Sequence, residues 1–188
     1  MEPIIIALVG AGSRSFGPET VRDILLSEAL TQGRISLRLM DIVADKLSDI
    51  GRYARSLAEK LGRNSEIGTT ASLEAALDGA QFVVTAVEIE RSFYWAQDYH
   101  IPRKYGFRQV FAENGGPGSL FHALRAMKGM VHIVRTMERL CPDAILLNYT
   151  NPMHKVCDAI LRFRRAVSRR VDGNGAGLLH LGQACGRD

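Results

Sequence analysis

The 188-residue chain is 46% hydrophobic, enough to form one domain-sized core. Its net charge of +4 is spread along the sequence, which argues against a basic face for nucleic acid. No apolar run approaches the roughly 20 residues of a membrane helix. Three widely spaced cysteines fit neither a zinc site nor a disulfide framework. We expect free thiols and a cytoplasmic protein with no nucleic-acid or membrane partner.

Apolar runs and helical periodicities alternate along the chain. In order, they predict strand 4–9, helix 19–30, strand 35–40, helix 47–61, strand 65–70, helix 72–77, strand 82–87, helix 91–100, loop 106–118, helix 120–140, strand 144–147, helix 153–165 and strand 176–181. The apolar side of helix 120–140 predicts a core face. Strands joined by helices through right-handed crossovers form a parallel sheet. The sequence therefore predicts an α/β, doubly wound Rossmann fold, with one dinucleotide-binding domain over residues 1–188.

A glycine-rich turn follows the first predicted strand. Gly10 and Gly12 lie where the chain turns into a helix, so that backbone amides and the positive helix end would face a pyrophosphate. Ser13 follows directly. Ser15 occupies the position of the third glycine in the usual fingerprint, and Gly17 lies two residues later. The strand and helix on either side favour NAD binding over a purely structural turn.

Asp41 ends the second predicted strand. A carboxylate in this position accepts hydrogen bonds from the adenosine ribose and repels the extra phosphate of NADP, which favours NAD. The alternative is that Asp41 only caps the next helix.

Asn148 and Asn151 follow the fifth predicted strand, where open α/β sheets bind their ligands. The alternative is a simple turn, because Asn tolerates unusual backbone angles and Pro152 disfavours helix before it.

Four segments together resemble glycoside hydrolase family 4. They are GAGSRSFG from Gly10, LMDI ending at Ile42, ENGGPGSLFHALRAM from Glu113 and NYTNPMHKV from Asn148. The resemblance implies a domain similar to the N-terminal domain of lactate and malate dehydrogenases. It also implies hydrolysis of a small-molecule glycoside with NAD and a divalent metal such as manganese.

The resemblance further implies a redox route, in which hydride leaves sugar C3, the C2 proton becomes acidic and elimination expels the leaving group. It assigns cofactor binding to Gly10, Gly12, Ser13, Asp41 and Asn148. It assigns sugar contact to Asn151, and it places Gly116–Gly118 at the floor of the site.

Two departures from the family pattern affect these expectations. Leu179 stands where the family has a metal-binding cysteine, and leucine cannot ligate a metal, which leaves His180 as the metal candidate. Relatives also continue into a C-terminal domain that supplies a second histidine, the base and much of a homo-oligomer interface. We expect that domain to be absent, and this truncated chain to bind NAD with little or no glycosidase turnover.

Two alternatives stay open. A dehydrogenase of the lactate or malate type shares the glycine turn and an Asn-Pro element, but its substrate arginine and catalytic histidine have no counterpart that we can place. A non-catalytic nucleotide-binding module is favoured by Leu179 and by the short chain.

Overall fold

The structure is a computed structural model that describes residues 2–30 and 33–167. The chain divides into two compact units. The first consists of Met1–Ala86 with Thr136–Leu147, and the second of Val87–Arg135 with Asn148–Asp188.

Strands and helices alternate as the sequence predicts. Among the described residues the strands are β1 (Ile4–Val9), β2 (Ile35–Met40), β3 (Ser65–Thr70), β4 (Phe82–Thr85) and β5 (Ile145–Asn148). The helices there are α1 (Phe16–Leu26), a 3₁₀ turn (Glu28–Leu30), α2 (Ala44–Lys60), α3 (Leu73–Leu77), α4 (Arg91–Lys104), α5 (Gly116–Leu140) and α6 (Met153–Val167). The predicted strand 176–181 lies outside the described residues.

The strands form one parallel sheet in the order β3-β2-β1-β4-β5. This is the strand order of the Rossmann fold, which confirms the predicted fold class. In the register of the sheet, Val9 of β1 lies opposite both Met40 of β2 and Thr85 of β4. The three strands therefore end at the same level, and the turn after β1 lies beside the end of β2.

The core of the first unit forms where the central strands meet α1 and α2. Leu8, Leu37 and Val84 are buried in one cluster with Val21 of α1 and Ile50 of α2. Continuous apolar runs explain why β1 and β2 are central, since a parallel strand buried on both faces needs them. The more polar β3 forms an edge of the sheet, where exposed charged side chains are tolerated.

Helix α1 begins three residues earlier than the prediction and ends at Leu26. Pro18 lies in its first turn, where a missing N–H costs no hydrogen bond. The Arg63 side chain donates to the carbonyls of Leu25 and Ser27, the latter at 2.9 Å. These bonds satisfy carbonyls at the helix end.

Helix α4 continues through Pro102, although the sequence predicts its end near His100. A proline in a helix cannot donate to the carbonyl four residues earlier, here that of Asp98. Gln109 Nε2 donates to this carbonyl instead, at 2.8 Å. The side chain of a following loop thus replaces the lost backbone bond.

Helix α5 begins at Gly116, and its predicted apolar side divides into two parts. Met130 and Met137 are buried, as predicted. Leu120 and Leu124 are 53% and 61% exposed, so the prediction of a core face is wrong for the first turns of the helix.

The two cysteines in the described part of the chain differ. Cys141 is a buried free thiol, whereas Cys157 is disulfide-bonded, so the expectation of free thiols is wrong for Cys157. Placement in the cytoplasm stays a prediction. Within the described residues, no helix is long and apolar enough to cross a membrane.

We predict that Cys141 reacts slowly with thiol reagents in the folded chain. Burial and the nearby negative charge of Asp78 raise the pKa of the thiol, so at mildly alkaline pH less of it is the reactive thiolate. Alkylation by iodoacetamide, followed by peptide mass spectrometry, should be faster for Asp78→Asn and fastest in urea. Equal rates in the native and unfolded chains would contradict this expectation.

Candidate functional site

The glycine turn of the first unit is tied to the end of β2. Gly10 has a φ of 86°, in the left-handed region that favours glycine. The amides of Gly10 and Ala11 both donate to the carbonyl of Met40, at 2.9 and 3.0 Å. These two amides are therefore committed to the fold.

The structure brings Gly12 and Asp41 together, as the sequence predicts for a nucleotide site. The Gly12 amide donates to Asp41 Oδ2 at 2.8 Å. A Cβ atom on Gly12 would lie 2.7 Å from that oxygen and 2.7 Å from Lys46 Cβ. Only glycine allows the turn to approach the carboxylate so closely.

Asp41 also has the structural role that the sequence left open. Its Oδ1 accepts from the Val43 amide at 2.9 Å, immediately before α2. A carboxylate offers about four acceptor positions, so these two backbone bonds leave capacity for a ribose hydroxyl. Capping and ligand binding are therefore compatible at this residue.

Gly17 supplies the close packing that the third glycine usually provides. It is buried in the first turn of α1, and a Cβ atom there would overlap the Ala11 carbonyl oxygen. The Gly17 amide donates to the Ser13 carbonyl at 3.2 Å. Ser15 stands at the usual third position, yet the function of that glycine is present two residues later.

Two exposed residues complete the turn. Within the described chain, the amides of Arg14 and Ser15, which precede the first helical residue, donate to no other residue. The Ser13 amide, by contrast, bonds to the Gly10 carbonyl at 3.2 Å. Free amides at a helix N-terminus are the donors that a pyrophosphate needs.

We predict that Gly17→Ala lowers the free energy of unfolding by about 1–3 kcal/mol, the usual cost of overpacking. The matched control is Gly68→Ala, since a Cβ on Gly68 meets no atom within 4 Å. Urea denaturation followed by circular dichroism measures both. A Gly17→Ala chain as stable as the control would show that α1 can move away from the turn without cost.

Asn148, the last residue of β5, lies in the second unit and is buried. Its Oδ1 accepts from the Thr150 amide at 3.1 Å, and its Nδ2 donates to the Thr150 carbonyl at 3.2 Å. These bonds form the turn that the sequence offered as the alternative to ligand binding. The Val87 amide donates to Thr150 Oγ1 at 3.1 Å, which ties the segment after β4 to this turn.

Asn151 lies two residues before the first residue of α6. Its Oδ1 accepts from the Met153 amide at 3.3 Å, and the following bond to Pro152 is cis. Among the described residues, the Asn151 Nδ2 group has no acceptor. Asn151 therefore retains a donor for a ligand hydroxyl.

A charged cluster in the second unit was missed by the sequence analysis. His122 Nε2 lies 3.1 Å from Glu88 Oε1, and Arg91 lies 3.4 Å from Glu88 and 2.7 Å from Glu113. His122 Nδ1 is buried with no partner among the described residues. Glu88 could have been found, because it directly follows the predicted strand 82–87, as Asn148 directly follows the predicted strand 144–147. No local pattern marks His122.

Lys155 of α6 fixes the glycine-rich segment before α5. Its Nζ donates to the Asn114 carbonyl at 3.0 Å and to Ser119 Oγ at 2.6 Å. Ser119 is fully buried, whereas Lys155 is partly exposed, so the Lys155 amine reaches inward to the serine hydroxyl. Gly118 packs against the Asp98 carbonyl with no room for a Cβ atom. Close packing therefore explains why this position needs glycine.

No group of three metal-ligating side chains occurs among the described residues. The predicted metal candidate His180, and Leu179 beside it, lie outside them. Among the described residues, the nucleotide-type turn belongs to the first unit, and the polar cluster is a separate feature of the second unit.

The chain matches the model of the family 4 glycosyl hydrolases over residues 5–172. It belongs to that family. An alpha-glucosidase from Erwinia rhapontici is 39% identical over 158 residues, which cover 84% of this chain and 34% of that protein. This chain thus spans about a third of the length of that relative.

Solved structures agree with the fold. The 6-phospho-beta glucosidase from Thermotoga maritima with manganese, NAD+ and glucose-6-phosphate has a TM-score of 0.71 at 26% identity, over 85% of this chain and 37% of that one. Malate dehydrogenase from Plasmodium falciparum has a TM-score of 0.57 at 19% identity, over 84% of this chain and 40% of that one. The second likeness shows the shared Rossmann fold alone.

Proposed function

We propose that residues 1–188 form the NAD-binding part of a family 4 glycosidase. The observation that carries this proposal is the contact between Gly12 and Asp41 beside the free amides of Arg14 and Ser15. Acceptors for a ribose and donors for a pyrophosphate thereby lie at the neighbouring ends of β1 and β2. Family membership supports the glycosidase reading over a lactate- or malate-type dehydrogenase.

The proposed roles follow from these contacts. Gly10 sets the backbone of the turn, and Gly12 allows close approach to the phosphates. Ser13 belongs to the same turn and is assigned to the cofactor with them. Asp41 binds the ribose hydroxyls and disfavours NADP by charge repulsion.

Asn148 and Asn151 are assigned to the cofactor and the sugar, respectively. NAD, when bound, supplies reversible hydride acceptance for a redox-elimination route that starts at sugar C3 and C2. The free Nδ2 group of Asn151 would donate to a sugar hydroxyl and orient the ring. The buried Asn148 would hold the turn that carries Asn151.

Manganese is the metal of the Thermotoga relative, but the described residues of this chain do not form a site for it. We therefore assign no step to a metal, and His180 stays a doubtful candidate because Leu179 replaces the expected cysteine. We propose that this chain alone binds NAD and has little or no glycosidase turnover. The alternative function, a non-catalytic nucleotide-binding module, would also bind NAD but would have no glycosidase turnover at all.

We predict that the chain binds NAD more tightly than NADP, and that Asp41→Ala weakens NAD binding by about tenfold or more, the value of one or two lost hydrogen bonds. Asp45→Ala is the matched control, because Asp45 is an exposed carboxylate nearby in α2. Isothermal titration measures each affinity. A folded chain that binds neither nucleotide would refute the proposed function, and an unchanged affinity in Asp41→Ala would remove Asp41 from the site.

We predict no release of nitrophenol above background from nitrophenyl glycosides incubated with the chain, NAD and manganese. The reason is that Leu179 stands where the family resemblance places a metal-binding cysteine, and leucine cannot ligate a metal. Absorbance of nitrophenolate gives the rate. NAD-dependent release would contradict the prediction and show that this chain is a complete catalyst, whereas steady NADH formation from a 2-hydroxy acid would favour the dehydrogenase alternative.

A further inference from the structure

Lys46 lies beside the point where the glycine turn of the first unit meets Asp41. A Cβ atom on Gly12 would lie 2.7 Å from Lys46 Cβ and equally close to Asp41 Oδ2. Lys46 belongs to the first turn of α2, which begins at Ala44. Bonds of about 1.5 Å each separate its Cβ from its Nζ, so the ammonium can reach over the contact between Gly12 and Asp41.

The charge of Lys46 does not stabilise the first unit. The residue is exposed, and within the described chain its side chain takes part in no hydrogen bond or ion pair. Both oxygens of Asp41 accept from backbone amides instead, those of Gly12 and Val43, at 2.8 and 2.9 Å. A cation in the first turn of a helix also faces the positive end of the helix dipole, where negative charge is preferred. Neither an ion pair nor the helix therefore explains a lysine at this position.

The place of Lys46 matches one part of a dinucleotide. Asp41 is assigned to the adenosine ribose, and the free amides of Arg14 and Ser15 suit the pyrophosphate. Lys46 begins beside the Asp41 carboxylate and so borders the ribose end of the site. An ammonium group carries donors and no acceptor, so it can donate to a ribose hydroxyl or to a phosphate attached to that hydroxyl.

We propose that Lys46 binds the adenosine ribose together with Asp41 and sets how strongly the chain prefers NAD to NADP. With NAD, the ammonium donates to a ribose hydroxyl. With NADP, it pairs with the 2′-phosphate and offsets part of the repulsion from the Asp41 carboxylate. The chain therefore prefers NAD and still accepts NADP. The inference rests on the proposed function, since it concerns the same nucleotide site.

Isothermal titration of NAD and of NADP into the wild-type chain and its variants tests this role. Lys46→Gln keeps a polar side chain but loses the charge. Affinity for NADP should fall by about tenfold, the value of one charge-assisted hydrogen bond, and affinity for NAD by about threefold or less. Lys46→Glu should widen the ratio of the two affinities further, because two carboxylates then face the 2′-phosphate. Lys60→Gln is the matched control, since Lys60 is an exposed lysine at the other end of α2, and it should leave the ratio unchanged.

Several results would overturn the inference. One is an equal loss of both affinities in Lys46→Gln, because the lysine would then contact a part that NAD and NADP share. Another is an equal change of the ratio in Lys60→Gln, because the net charge of α2 would then be responsible. A third is a wild-type chain that binds NAD with no measurable affinity for NADP. NAD binding with an unchanged ratio rejects only the role of Lys46, whereas a folded wild-type chain that binds neither nucleotide rejects the proposed function as well.

Discussion

The hydrogen bond from the Gly12 amide to Asp41 Oδ2 joins the ends of two neighbouring strands, and the nucleotide-type turn depends on it. The register of β1 with β2 sets Val9 opposite Met40, so the next residues of both strands meet at one level. The Met40 carbonyl accepts from the amides of Gly10 and Ala11, and the Asp41 carboxylate accepts from the amide of Gly12. Because these amides already donate within the fold, the turn amides without an acceptor among the described residues are those of Arg14 and Ser15, directly before α1.

The polar cluster of the second unit is held by contacts between side chains, whereas the turn of the first unit is held by backbone amides. Arg91 is shared between Glu88 and Glu113, and His122 bonds to Glu88. Buried or half-buried charges are costly unless paired, so each member of this cluster constrains the others. The Asn151 Nδ2 group stays outside these ion pairs and has no acceptor among the described residues.

The strands and the turn were predictable from sequence because their causes are local. The continuous apolar run from Ile4 to Val9 predicts a buried strand without reference to the rest of the chain. The glycine that follows it predicts a turn in the same way. The course of α4 was not predictable, since its passage through Pro102 depends on Gln109 reaching back to the Asp98 carbonyl. The Glu88 and His122 pair likewise joins residues 34 positions apart, for which the sequence holds no periodic signal.

The third glycine shows why a motif is better understood as a set of contacts than as a spacing. What the fold requires is a residue without Cβ where the first turn of α1 crosses the Ala11 carbonyl. In the usual fingerprint that residue follows the second glycine by three positions, and here Ser15 stands there. Gly17 takes the crossing because α1 starts at Phe16, so the crossing falls on its second residue. The spacing departs from the pattern, while the close contact between helix and turn is kept.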